Sequence, residues 1–179
     1  MLFRSHFTVD VRPVEVFPIL DFVEQQFTPP HQERVRSEIA ANSAVLQPLD
    51  DMERMQRNIK CPFLSEGRCT IYAVRPQTCR NYHATDAAGC QKSFEEPGNL
   101  DIDPEFAPLV YQAGGAHVDA FSQAMRDEGY DVTAFELNTA LAAAMAQPAT
   151  VRQRFEAKEP PFVGLVGMEV PSEFMDEAD

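Results

Sequence analysis

A mainly α-helical fold, with one small β-hairpin and an irregular cysteine-rich metal-binding segment, is what this sequence predicts. Three observations lead there. Apolar residues recur at helical spacing over much of the chain, as in Val16, Ile19, Leu20, Val23 and Phe27. An extended–turn–extended pattern interrupts that spacing just after residue 60. The four cysteines, Cys61, Cys69, Cys79 and Cys90, all fall in this same interrupted stretch.

Element by element, residues 1–12 alternate apolar and polar side chains (Leu2, Phe3, Phe7, Val9, Val11) and read as a short extended opening. Pro13 suits the first turn of a helix, which then runs towards Pro29-Pro30. A second helix spans His31 to about Leu46, with Val35, Ile39 and Val45 on one side and Glu33, Arg34, Arg36 and Glu38 on the other. Pro48 opens a shorter helix through Met52, Met55 and Ile59, which stops ahead of Cys61-Pro62 because the residue before a proline disfavours helix.

Phe63-Leu64 and Thr70-Ile71-Tyr72 read as two strands joined by Ser65-Glu66-Gly67-Arg68. Arg75-Pro76 sets up one helical turn carrying Thr78, Cys79 and Arg80, and the polar stretch from His83 to Gly89 reads as a loop closed by Cys90. Beyond Pro97-Gly98-Asn99 come a helix from Asp103-Pro104 to Glu128, an alanine-rich helix from Thr133 to Gln147, and a helical piece through Val151 and Phe155. The whole chain, 1–179, reads as one domain, with 61–92 as the cysteine-cluster segment and 160–179 as an irregular acidic tail.

The bulk composition narrows the function classes. With 179 residues and 44% hydrophobic side chains, the chain can build a core without disulfide staples. No apolar run has the length of a membrane span, and the N-terminus lacks the apolar stretch and cleavage site of a signal peptide, so a cytoplasmic protein with no membrane partner is expected. A net charge of −13 argues against nucleic acid as a partner. The cations are nonetheless concentrated around the cysteines: seven of the 15 basic residues (Arg54, Arg57, Lys60, Arg68, Arg75, Arg80, Lys92) lie in 50–92, against five acids.

In a reducing compartment, clustered cysteines point to metal or catalysis rather than disulfides. Four thiolates complete either a structural zinc site or a cubane iron–sulfur cluster. The spacing, Cys-x7-Cys-x9-Cys-x10-Cys, contains none of the tight pairs that zinc sites usually use. Wide spacing suits a larger inorganic core, so a 4Fe–4S cluster is favoured over zinc as the cofactor. Either centre is anionic, and Arg68, Arg75 and Arg80, each within a few residues of a cysteine, are candidates to offset that charge. Tyr72, between Cys69 and Cys79, is a candidate to pack beside it.

The run Cys61-Pro-Phe-Leu-Ser-Glu-Gly-Arg-Cys69-Thr-Ile-Tyr72-Ala-Val-Arg75-Pro76-Gln-Thr-Cys79-Arg80-Asn-Tyr82, with Cys90 beyond it, resembles the YkgJ-type cysteine-cluster family. The resemblance implies a zinc- or iron-chelating domain, and the family includes the flagellin lysine N-methylase. It covers about thirty residues. That family commonly carries a further Cys-x-x-Cys-Cys element upstream, whereas no cysteine here precedes Cys61. The chain thus has ligands for one four-thiolate centre and no second.

Other candidates have simpler explanations. His83 belongs to a loop, His31 and His117 are single helix histidines, and His6 stands alone. Asp50, Asp51 and Glu53 crowd a helix start, where carboxylates favour the dipole. Catalytic residues are not identified. Three functions follow as expectations: a metal or iron–sulfur module in a structural, redox or partner-binding role; a transferase-type enzyme, in the manner of methyl transfer, with the cluster beside its pocket; and a structural zinc interaction domain. A protein partner and a small-molecule substrate both stay open.

Overall fold

The structure is a computed structural model that describes residues 4–102 and 104–168. Among the described residues it contains eight α-helices and two small antiparallel sheets of two strands each. The mainly helical expectation holds. No helix of the described residues is long and apolar enough to cross a membrane.

A 3-10 turn at Arg4–His6 leads into β1 (Asp10–Val11) and α1 (Pro13–Gln26). Pro13 starts α1 where a missing N–H costs nothing, and Glu15 accepts a hydrogen bond from the Arg12 backbone N–H at 2.9 Å, closing the first turn. Helix α2 (Pro29–Leu46) follows, then α3 (Asp51–Met55), capped by Asp50, whose carboxylate accepts the Glu53 N–H at 2.8 Å. This helix is shorter than expected. Buried Arg54 turns back and donates to the carbonyls of Leu46 and Gln47, satisfying the frayed end of α2 while pairing with Asp51 at 3.0 Å.

Strands β2 (Leu64–Ser65) and β3 (Arg68–Cys69) form the hairpin, in the register Leu64↔Cys69 and Ser65↔Arg68. Its two-residue turn has Glu66 at φ 49° and Gly67 at φ 73°, the left-handed pair that matches the twist of a tight hairpin. The second strand was expected at Thr70–Tyr72. It pairs earlier because the turn has only two residues, and Tyr72–Val74 instead forms a 3-10 turn that swings Ile71 into the core. Helix α4 (Gln77–Asn81) carries Cys79.

Helix α5 (Ala87–Glu95) lies where a loop was expected to end. Asp86 caps it through the Ala88 N–H, a signal present in the sequence but masked by the small residues around it. Residues 104–107 are extended rather than helical. Ala84 and Phe106 form a bridge, and the backbone N–H groups of Thr85 and Ala107 bond across it to Glu105 and His83. Helix α6 (Pro108–Asp127) therefore starts later than expected. Within it, Gly114 meets Asn81 of α4 so closely that a Cβ would collide with the Asn81 side chain.

β4 (Phe135–Glu136) takes the first residues expected of the alanine-rich helix and pairs antiparallel with β1. Helix α7 (Leu137–Ala146) is then capped by Glu136, which is 2% exposed and accepts from both the N–H and the hydroxyl of Thr139 at 2.8 Å. Helix α8 (Pro148–Glu156) follows, and residues 157–168 form an irregular strap. Phe162 packs on Phe135 at 5.1 Å, and the Met168 N–H bonds the Ala134 carbonyl. The rest of the expected acidic tail, like Leu2, Phe3 and Asp103, lies outside the described residues.

One hydrophobic cluster joins these parts. It combines Val16, Ile19 and Val23 of α1, Val35 and Ile39 of α2, Phe63 and Ile71 around the hairpin, and Leu137, Ala140, Leu141 and Ala144 of α7. Helix α2 packs most extensively on α7, so the cysteine-bearing half is completed by the C-terminal half.

Candidate metal centre

Each cysteine is delivered by a different local device. Cys61 lies in a loop, where its N–H donates to the Ser5 carbonyl at 2.7 Å while the Ile59 N–H donates to that of His6. Asn42 of α2 grips the neighbouring Lys60 carbonyl at 3.0 Å and also reaches Asn138 of α7 at 3.2 Å. Cys69 stands on β3 opposite Leu64. Cys79 rides on α4, whose first N–H, that of Gln77, donates to Glu15 at 2.7 Å. Cys90 is buried on α5, with the Tyr82 hydroxyl 3.9 Å from its sulfur.

Cys61, Cys69 and Cys79 are half-buried and all three pack against the same hydrophobic cluster. Helix α5 is tied to the Cys61 run at its other end: Asn58 donates to the Phe94 carbonyl, and the His6 ring meets Phe94 edge-on at 5.0 Å. All four cysteines are free thiols.

Burial pushes the Cys69 thiol above its ordinary pKa, opposed by the Ile71 backbone hydrogen bond and by the positive charge of Arg75. The Arg75 guanidinium lies over the Tyr72 ring at 4.2 Å, and its buried Nε has no hydrogen-bond partner among the described residues. Arg80 instead wraps its own turn, donating to the carbonyls of Arg75 and Ala73 at 3.0 and 2.7 Å. Arg68 and Tyr72 are exposed. Of the arginines singled out from sequence, Arg75 is the one whose charge acts on Cys69.

The donor chemistry fits a thiophilic metal: four free cysteines, three of them half-buried against the hydrophobic core and one, Cys69, under the positive charge of Arg75. The closed coordination shell is not formed. Among the described residues, no three His, Cys, Asp or Glu side chains converge where they could hold an ion. The histidines follow their simpler readings: His31 stacks on Phe27 at 3.9 Å, His6 meets Phe94 edge-on, and His83 and His117 are exposed. Asp50 and Glu53 form a reciprocal cap, and Asp51 pairs with Arg54.

Sequence reasoning missed the residues that position the cysteines. Glu15 is the main one: one carboxylate oxygen closes α1 and the other anchors α4, 62 residues away. Its spacing from Pro13 signals only the first role. Glu15→Ala is expected to lower stability by about 1–3 kcal/mol, since two caps go at once, read as a shift of the urea midpoint at unchanged slope. Glu15→Gln keeps an acceptor at one position and should recover part of the loss.

Residues 25–100 match a family model described as CxxCxxCC, a putative zinc- or iron-chelating domain. The match runs from the end of α1 through α5 and contains all four cysteines. It supports metal binding as the general property of this segment. The motif that names the family is nevertheless missing, since the matched residues hold no Cys-x-x-Cys pair. No curated protein and no solved structure matches the chain.

Proposed function

We propose that this zinc- or iron-chelating domain holds one metal centre through Cys61, Cys69, Cys79 and Cys90, a 4Fe–4S cluster in preference to zinc. The observation that carries this reading is that all four cysteines fall within the residues matched by the zinc- or iron-chelating family model, three of them half-buried against the hydrophobic core. The sulfurs must still be drawn together, so binding is coupled to local closure of residues 61–92 and to loss of the thiol protons.

The choice of cluster rests on spacing. A single zinc ion is best served by two tight cysteine pairs, whereas four dispersed thiolates suit the corners of a larger core. Arg75 supplies a positive charge at the Cys69 side, and Arg68, Arg80 and Tyr72 lie on the outer face of the same segment. The role that follows is structural, redox or partner-binding.

The test is metal analysis of protein purified without oxygen. Iron and acid-labile sulfide near four each per chain, with broad visible absorbance, are the expected result. One zinc per chain in a colourless sample overturns the cluster. Protein that takes up neither iron nor zinc overturns the metal centre altogether.

A further inference from the structure

Between β1, the end of α4 and α6 lies a cavity of about 310 Å³, at the small end of the range for ligand sites. We propose that it binds a small organic cation, an alkylammonium or quaternary ammonium ion, held by three aromatic rings and an unpaired carboxylate. No cysteine lines this space, but Thr78, Asn81 and Tyr82 belong to the segment that closes on metal and the Tyr82 hydroxyl lies 3.9 Å from the Cys90 sulfur, so the proposal concerns the metal-free protein and is tested on it.

The rings are Tyr82, Phe106 and Tyr111. Tyr82 meets Phe106 at 5.0 Å with planes 84° apart, and Phe106 meets Tyr111 at 5.6 Å and 48°. The wall therefore presents aromatic surface at several inclinations. The negative face of each ring attracts a cation within about 6 Å, and most strongly one that sheds water easily, as alkylated ammonium ions do.

Charge points the same way. Asp10, Asp119 and Arg12 are the charged residues of the lining. Arg12 lies 4.0 Å from Asp10 with no hydrogen bond between them, and its buried Nε has no partner among the described residues, so it offsets one of the two carboxylate charges in sign only. Asp119 has no ion pair or hydrogen bond among the described residues, leaving one net negative charge at the rim. The net charge of −13 also raises the local concentration of cations over anions.

The helix explains why the space exists. Tyr111, Gly115 and Asp119 succeed one another every four residues along one stripe of α6, so ring and carboxylate stand about 12 Å apart along its axis. Gly115 sits between them, and nothing lies within 4 Å of where its Cβ would be. A glycine costs helix stability here, and no close packing demands it, unlike at neighbouring Gly114. What its missing side chain leaves is room beside the rings.

The test uses the full, metal-free chain and three probes of matched shape: choline, its neutral isostere 3,3-dimethylbutanol, and anionic 3,3-dimethylbutyrate. The protein has four tyrosines and no tryptophan, so tyrosine fluorescence reports on the site, with calorimetry as the second readout. Choline is expected to bind about 10-fold more tightly than either isostere. Asp119→Asn should weaken choline by about 3- to 10-fold. Gly115→Leu should abolish binding while the melting temperature holds or rises, because leucine favours helix and its Cβ meets nothing. Equal binding of a neutral or anionic probe, no saturable binding of choline, or undiminished choline binding in folded Gly115→Leu would each overturn the proposal.

Discussion

Cys69→Ser is expected to take the protein from one bound metal centre per chain to less than about a tenth of that, and to erase the melting-temperature gain that metal gives the wild type. In the proposed centre, losing one of four thiolates opens the coordination shell, and a serine hydroxyl is a poor ligand for a thiophilic metal. The hairpin itself should survive, because serine nearly matches cysteine in volume and the Leu64↔Cys69 pairing is made by backbone atoms. With metal at about 1,000 times its Kd, the stabilisation lost is about 4 kcal/mol, or roughly 10 °C in a chain of this size. Stripped of metal, variant and wild type should melt within about 3 °C of each other, the effect of less than about 1 kcal/mol. Unchanged metal content and unchanged melting would show that Cys69 is no ligand.

The same thiol ties affinity to pH. Burial raises its pKa, so at neutral pH it keeps a proton that metal must displace, and affinity should climb with pH. Without metal, the folded form holds that proton to higher pH than the unfolded chain. This group's stabilisation is therefore complete below the unfolded pKa and is lost as pH rises through the folded one.

Phe63→Ala should be the most damaging apolar substitution near the cysteines, lowering stability by about 3–5 kcal/mol and the melting temperature by roughly 10 °C. Phe63 is fully buried and belongs to the cluster that joins α1, α2 and α7, so truncation leaves a cavity between both halves of the chain. Its carbonyl also receives the N–H and hydroxyl of Thr70, at 2.9 and 3.0 Å, which close the hairpin. Val45→Ala, at a residue 49% exposed on α2, is the control and should cost less than about 0.5 kcal/mol. A loss below about 1 kcal/mol for Phe63→Ala would mean that the hairpin is not anchored as described. Urea unfolding of both variants measures this directly.

Much of the fold was legible because its signals are local. The start of α1 follows from Pro13 and the end of α2 from its apolar stripe, although α2 begins at Pro29 rather than at His31, and the hairpin turn follows from Gly67. Misjudged stretches were those where a distant partner overrode local preference. Phe135 and Glu136 sit in an alanine-rich helical pattern but are claimed by β1, more than a hundred residues earlier. Residues 104–107 look like a helix start but pair with the stretch around Ala84. Helix α5 was missed for the opposite reason: its cap, Asp86, is local, but alanine and glycine after it carry no periodicity to extend the signal.

The four cysteines divide in the same way. Their number, their confinement to 61–90 and the absence of tight pairs are properties of the sequence alone, and these leave thiol ligands for one proposed centre and no second. Tertiary structure decided what positions them, and it sets Cys61, Cys69 and Cys79 half-buried against the core while Cys90 is buried on α5. Glu15 anchors the Cys79 helix, and the Ser5 and His6 carbonyls hold the Cys61 run. It also decided that Arg75, rather than Arg80, turns its charge on Cys69. Spacing along a chain dictates which donors are available; only packing between distant segments dictates which groups face them, because electrostatics and hydrogen bonds act through space.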